Sequence, residues 1–174
     1  MTNDIAIGLR TPNQEAEKIK HDHGCSFSAM VGDDETLEVP SVGSRETHTV
    51  SRQILSEILE ARAREMFEML NHEINVSGFR EIISSGIVLT GGAASMPGMG
   101  ELGEEIFQLP VRIGDPTGIG GLVDVVNNPM YATSTGLIQY GLKSHKAGTT
   151  HELDGRHLFD KIFSRMKHWA EEFF

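Results

Sequence analysis

Cysteine occurs once in these 174 residues, as Cys25, which excludes an internal disulfide and fits a reducing compartment, with a small buried thiol the expected role. No run of 18 or more apolar residues is present, so no segment reads as a bilayer-spanning helix. The opening "MTNDIAIGLRTP" has no basic stretch followed by an apolar one, so it does not read as a secretory signal, and a cytoplasmic chain is expected. Basic residues are also in short supply. Fifteen Lys and Arg stand against 25 Asp and Glu, a formal net charge of −10, so the chain as a whole should repel nucleic acid and anionic membrane. Any membrane contact must then be local. No internal repeat is visible. With 39% hydrophobic and 23% charged residues the composition is globular, enough for one good core or two small lobes sharing an interface.

What is present alternates between strand-like and helix-like patterns. Ile5 to Leu9 reads as a short strand, and Pro12 starts a helix through "NQEAEKIKHDHG" that stops at Gly24. From Cys25 to Ser44, "CSFSAMVG" and "TLEVPSVG", with Asp33 and Asp34 between them, suggest a small antiparallel sheet. Thr49 is placed to cap a long helix carrying Ile54, Leu55, Ile58, Leu59, Met66, Phe67, Leu70 and Ile74 at three- and four-residue steps. Then follow a strand "GIVLT", a helix from about Gly98 to Phe107, a strand "PVRIG", a Gly-rich loop and a last helix from about Tyr131 to Leu142. This order predicts an α/β fold with mostly parallel strands.

The strand "GIVLT" runs directly into Gly91 and Gly92. A strand ending in Gly-Gly and opening a helix offers backbone N–H groups and a positive dipole end to an anionic ligand such as a phosphate or nucleotide sugar. The same pattern also serves where a helix packs tightly over a sheet. In the first helix Glu17 and Lys20 share a face; they form either a solvated ion pair or an acceptor and donor for a ribose hydroxyl and a base edge. His21 and His23, two apart on that helix, diverge and make a poor metal pair.

After Lys143, "SHKAGTTHELDG" has no apolar period and reads as a flexible linker over 144–155. The tail "RHLFDKIFSRMKHWAEEFF" then sets Leu158, Phe159, Ile162, Phe163, Met166, Trp169, Ala170 and Phe173 on one stripe, with Lys161, Arg165 and Lys167 among the polar positions. It holds the only Trp and one net positive charge in an otherwise acidic chain. A locally cationic, aromatic helix suits the headgroup region of an anionic membrane, with Arg165 among the lipid-facing contacts; docking on a protein groove is the alternative.

Taken in order, "TNDIAIGLRTPNQEAEKIKHDHGC", "EVPSVGSR", "SRQILSEILEAR", "GIVLTGGAASMPGM", "PVRIGDPTGIGGL" and "NPMYATSTGLIQYGL" resemble the C-terminal half of the FtsA family of bacterial cell-division proteins, in the actin-like ATPase superfamily. The resemblance implies the second half of an actin-like, ribonuclease H-like fold. Residues 1–11 and 85–143 would form a larger subdomain, 12–84 an inserted smaller one, and 156–174 a C-terminal amphipathic membrane-targeting helix. It implies an ATP site in which Gly91, Gly92 and Ala93 lie against the adenosine and phosphates, Met96 near the base, Glu17 and Lys20 at the ribose and adenine, and Thr2 and Asp4 at the tail of a phosphate loop. The family's glycines ahead of Thr2, and the half that carries the first phosphate loop and the metal-holding groups, are not in this sequence. Weak nucleotide affinity and no hydrolysis are therefore expected, with Mg expected only in a full-length protein.

The resemblance further implies a peripheral protein on the cytoplasmic face of the membrane at the division site, self-associating and working with other division proteins. Its small subdomain would receive the acidic-apolar C-terminal peptide of FtsZ. Arg45, Arg52 and Arg62 are the candidate contacts, their alternative being an ordinary solvated basic face. A second functional class is the nucleotide-binding half of another actin-like ATPase, a pilus-assembly or reactivating factor, whose tail docks on a partner. A third is a fragment whose missing half removes most function.

Overall fold

Ile5 and Leu9 are both buried while Ile7, between them, is 70% exposed. That is a period of four rather than two, and in the computed structural model Thr2–Gly8 is a helix, α1, not the expected strand. The structure describes residues 1–43, 46–118, 120 and 126–148, the last few of these by backbone alone. The chain divides into two compact units, Met1–Thr133 and Ser134–Phe174.

In the first unit α1 is followed by α2, Asn13–His23, as its spacing predicted. The hairpin that comes next pairs strand β1, Thr36–Pro40, with β2, Thr47–Ser51, antiparallel, so that Leu37 faces Val50 and Val39 faces His48. The expected partner, Cys25 to Gly32, is not a strand; Ser28–Met30 is a 3₁₀ turn. Its backbone is satisfied elsewhere. The Ser26 amide donates to the Pro97 carbonyl at 2.8 Å, the Ser28 amide to the Glu60 carboxylate at 2.7 Å, and the Ser56 hydroxyl to the Cys25 carbonyl at 2.8 Å. Thr49 is likewise not the helix cap. It lies in β2 with its hydroxyl donating to Glu38, and Ser51 caps the helix by accepting from the Gln53 amide.

Helix α3, Arg52–Val76, joins two apolar clusters. Leu55 and Leu59 pack with Ile5, Leu9, Ala16, Ile19, Leu37 and Val39. One to two turns on, Ala63 and Phe67 pack with Met99, Leu102 and Phe107. Phe67 and Phe107 meet as tilted rings 5.3 Å apart. The second cluster is roofed by a strand–helix–strand unit: β3, Ile87–Leu89; α4, Met99–Phe107; and β4, Val111–Ile113, parallel to β3 with Ile87 opposite Val111. These three elements match their sequence pattern closely.

In the second unit, the described residues belong to helix α5, Ala132–Gly148, which begins just before the division. It runs past Lys143, where the linker was expected to begin. Nothing in "SHKA" breaks a helix, and the first glycine after Gly141 is Gly148 itself. Among the described residues no helix is long and apolar enough to cross a membrane. Leu158, Phe159, Ile162, Phe163, Arg165, Met166, Trp169 and Phe173, and with them the amphipathic-helix reading, lie outside the described residues, as does Arg45.

Because Phe67 is 3% exposed within the cluster of Ala63, Met99, Leu102 and Phe107, Phe67→Ala should lower the unfolding free energy by roughly 3–5 kcal/mol in urea denaturation. Met69→Ala, two residues on and 65% exposed, should stay within about 0.5 kcal/mol of the parent.

Candidate functional site

Two segments far apart in sequence face each other across a cleft of about 540 Å³. One wall comes from α1 and α2. Glu17 and Lys20 project from the same face of α2, and the Lys20 ammonium donates to both Glu17 oxygens, at 2.7 and 2.6 Å, and to the Thr2 hydroxyl oxygen at 2.9 Å. The Thr2 hydroxyl in turn donates to Glu17. The three side chains close a ring of charge-assisted hydrogen bonds. Hydrogen bonds from Lys20, and next from Thr2, hold the Glu17 carboxyl below its ordinary titration range.

The other wall is the turn after β3. Gly91 has φ +98° and ψ 167°, a region open essentially to glycine alone, and its amide donates to the Pro129 carbonyl at 3.0 Å. A Cβ at Gly91 would meet nothing within 4 Å. Its side chain is therefore absent for the sake of the backbone, not of a neighbour. Gly92 differs: its φ is ordinary, it lines the cleft, and a Cβ there would only touch Met130 at 3.8 Å. Its missing side chain leaves room in the cleft. Gly92–Ser95 forms a 3₁₀ turn that carries Ala93 and leads to Met96, both lining residues.

Of the residues that the sequence pointed to, Glu17, Lys20, Gly92, Ala93 and Met96 line the cleft. Thr2 and Gly91 support its walls from behind by hydrogen bonds. Asp4 is the exception. It turns away to α3, where Arg62 donates to it from Nε at 2.9 Å and from Nη2 at 2.6 Å. Arg62 is ion-paired with both Asp4 and Glu65. Arg52 is engaged as well, donating to the Glu35 carboxylate at 2.6 Å and the His23 carbonyl at 2.9 Å.

The sequence reading missed Asn128 and Met130, which also line the cleft. The Asn128 side chain accepts from the Met130 amide at 3.0 Å, shaping a short turn, Pro129–Tyr131, that the Gly91 amide and Thr90 hydroxyl bind to. The signal was the "NPMY" string at a helix start. A second cavity of about 540 Å³ lies beside the same turn, but its charged lining residues are Glu101 and Glu104. Only the first presents a lysine, and so only it suits an anion.

The geometry of a glycine turn after a parallel strand, facing a lysine–glutamate pair on a helix, belongs to an α/β fold with known relatives. MreB5 of Spiroplasma citri, in a crystal structure bound to ADP, superposes with a TM-score of 0.62 at 16% identity over 86% of this chain and 45% of that one. The same protein bound to AMPPNP gives 0.60. The fold is that of the actin-like proteins. Within that class, the family model "Cell division protein FtsA" matches residues 1–136. Cell division protein FtsA of Pseudomonas aeruginosa is 43% identical over 98% of this chain, and that of Escherichia coli strain K12 is 42% identical over 85%. The chain belongs to the FtsA family. It spans 42% and 37% of the length of those two relatives.

Two outcomes test the walls. Replacing Gly91 by Ala should cost on the order of 1–3 kcal/mol of stability, whereas Gly92→Ala should be nearly neutral, both read by urea denaturation. Because the folded Glu17 titrates below its ordinary value of 4.5, its contribution is present above that pH and lost as pH falls through the depressed folded value. The stability gap between wild type and Lys20→Met should therefore close on acidification below about pH 4.5, measured by denaturation from pH 7 to 3.

Proposed function

We propose that this chain is the nucleotide-linked and membrane-tethering part of a cell-division adaptor, holding polymers of FtsZ to the cytoplasmic face of the membrane at the division site. The observation that carries it is the cleft itself, in a chain of the FtsA family: Glu17 and Lys20 on one side, Gly92, Ala93 and Met96 on the other. Its volume lies within the range of small-molecule sites, and a lysine with an open glycine turn suits a nucleoside phosphate. Glu17 and Lys20 would hold the ribose and base edge, Gly92 and Ala93 would lie against the phosphates, and Met96 with Met130 would offer apolar surface to the base. ATP is the natural candidate, since the MreB5 neighbours were crystallised with ADP and AMPPNP.

These residues form two walls and no more. Among the described residues no acidic cluster suited to a metal ion faces the cleft. Phosphoryl transfer would need a positioned metal ion and water beyond these two walls. The tether rests on the tail, which combines the aromatic stripe with Lys161, Arg165 and Lys167, and on similarity to the Pseudomonas relative that covers 98% of the chain. The acidic FtsZ peptide would have to compete with Glu35 for Arg52.

The test is co-sedimentation with anionic liposomes and a labelled peptide of the FtsZ C-terminus, with and without ATP. The chain and peptide should pellet together, and Phe163→Glu with Trp169→Glu should leave both in the supernatant. A wild-type chain that stays in the supernatant rules out the membrane tether; a chain that pellets without peptide rules out FtsZ capture by this half.

A further inference from the structure

Asp4 and Arg62, which the sequence suggested for two different sites, are each other's partners across 58 positions of chain. The contact is two-pronged, Nε to Oδ2 at 2.9 Å and Nη2 to Oδ1 at 2.6 Å, a geometry that a guanidinium can make and an ammonium cannot. Asp4 lies in the first turn of α1, the same turn as Thr2, and Thr2 is the residue through which Lys20 and Glu17 are tied back to the body. That turn is also held by Met1, which packs at the edge of both apolar clusters. Helix α1 is seven residues long, too short to be stable alone, and no side chain caps its N-terminus. Its apolar anchors are Ile5 and Leu9 with Met1 and Ala6, and its polar anchors at Asp4 are the Arg62 fork and the N-terminal ammonium, 2.7 Å away.

We propose that Arg62 is a positioning residue for the cleft: by gripping Asp4 it fixes the first turn of α1 on α3 and so keeps the Thr2 hydroxyl between Glu17 and Lys20. This rests on reading the cleft as a nucleotide site. Arg62 lines no part of it and acts at one remove. Without the fork, the first turn frays, Thr2 leaves the ring, and Glu17 and Lys20 revert to an ordinary exposed ion pair with many orientations. A nucleoside phosphate then meets a wall that must be ordered on binding.

The experiment uses the whole 174-residue chain and a fluorescent ATP analogue, with Arg62→Ala, Arg62→Lys, Thr2→Val and the Arg62→Ala/Thr2→Val double variant. Arg64→Ala is the control, because Arg64 is a comparable ion-paired residue on α3 whose partners, Glu60 and Glu105, lie away from α1. Arg62→Ala should weaken analogue binding roughly three- to tenfold, Arg62→Lys should recover part of it, and Arg64→Ala should leave it unchanged. In the Thr2→Val background the Arg62 effect should vanish; an equal loss in both backgrounds overturns the proposal. If wild type binds no analogue, the nucleotide reading of the cleft fails. Hydrogen exchange then decides the positioning role separately: Arg62→Ala should speed exchange across Thr2–Gly8 and spare α4, and unchanged α1 exchange overturns it.

Discussion

One apolar stripe along α3 organises the first unit. Leu55 and Leu59 close the cluster around Ile5, Ile19 and Val39; Ala63 and Phe67 close the cluster around Met99, Leu102 and Phe107. Neither cluster is complete without its half of the helix, and no other described element supplies buried residues to both. The polar side of the same helix serves the segments it crosses. Ser56 and Glu60 take up the backbone of Cys25 to Ser28, Arg62 holds α1, and Arg64 reaches Glu105 on α4. Because isolated salt bridges at half-exposed positions contribute little, the apolar stripe supplies the stability and the charged residues supply the register.

The cleft follows from that arrangement. Its two walls are built by segments that each belong mainly to one cluster: α1 and α2 with the first, the β3–α4 turn with the second. Met96 packs at the edge of both, which places the end of the glycine turn over the junction. The two glycines then divide the work. Gly91 lets the strand bend through a conformation closed to other residues, and Gly92 keeps the resulting hollow open.

Much of this was legible in the sequence, and the parts that were not share a cause. Helical spacing located α2, α3 and α4, and the alternation of strand and helix around "GIVLTGG" gave β3 and β4 in parallel, because each of these carries its own period over enough residues. "IAIGL" offered a strand pattern and a helix pattern over a window too short to separate them; burial of Ile5 and Leu9 against other elements decided for helix. "CSFSAMVG" had strand-like alternation, yet the backbone of Cys25, Ser26 and Ser28 bonds to Ser56, Pro97 and Glu60, all remote in sequence, and the rest closes a local turn. The lining residues Glu17, Lys20, Gly92, Ala93 and Met96 were found through family resemblance joined to local motifs. The pairing of Asp4 with Arg62 was not legible because a charged residue announces its type and not its partner, and theirs lies on another helix.

Helix α3 also has a mechanical consequence. Its 25 residues make a rod about 37 Å long at 1.5 Å per residue, with a glycine only beyond its last turn and no proline inside it. A rod of that length magnifies rotation: a tilt of about 10° about one end carries the other end through about 6 Å. Arg62, where α1 rests on α3, is 14 residues from Val76, so a tilt of about 10° there would carry the exposed stretch running on to Phe79 and Ile82 through about 4 Å.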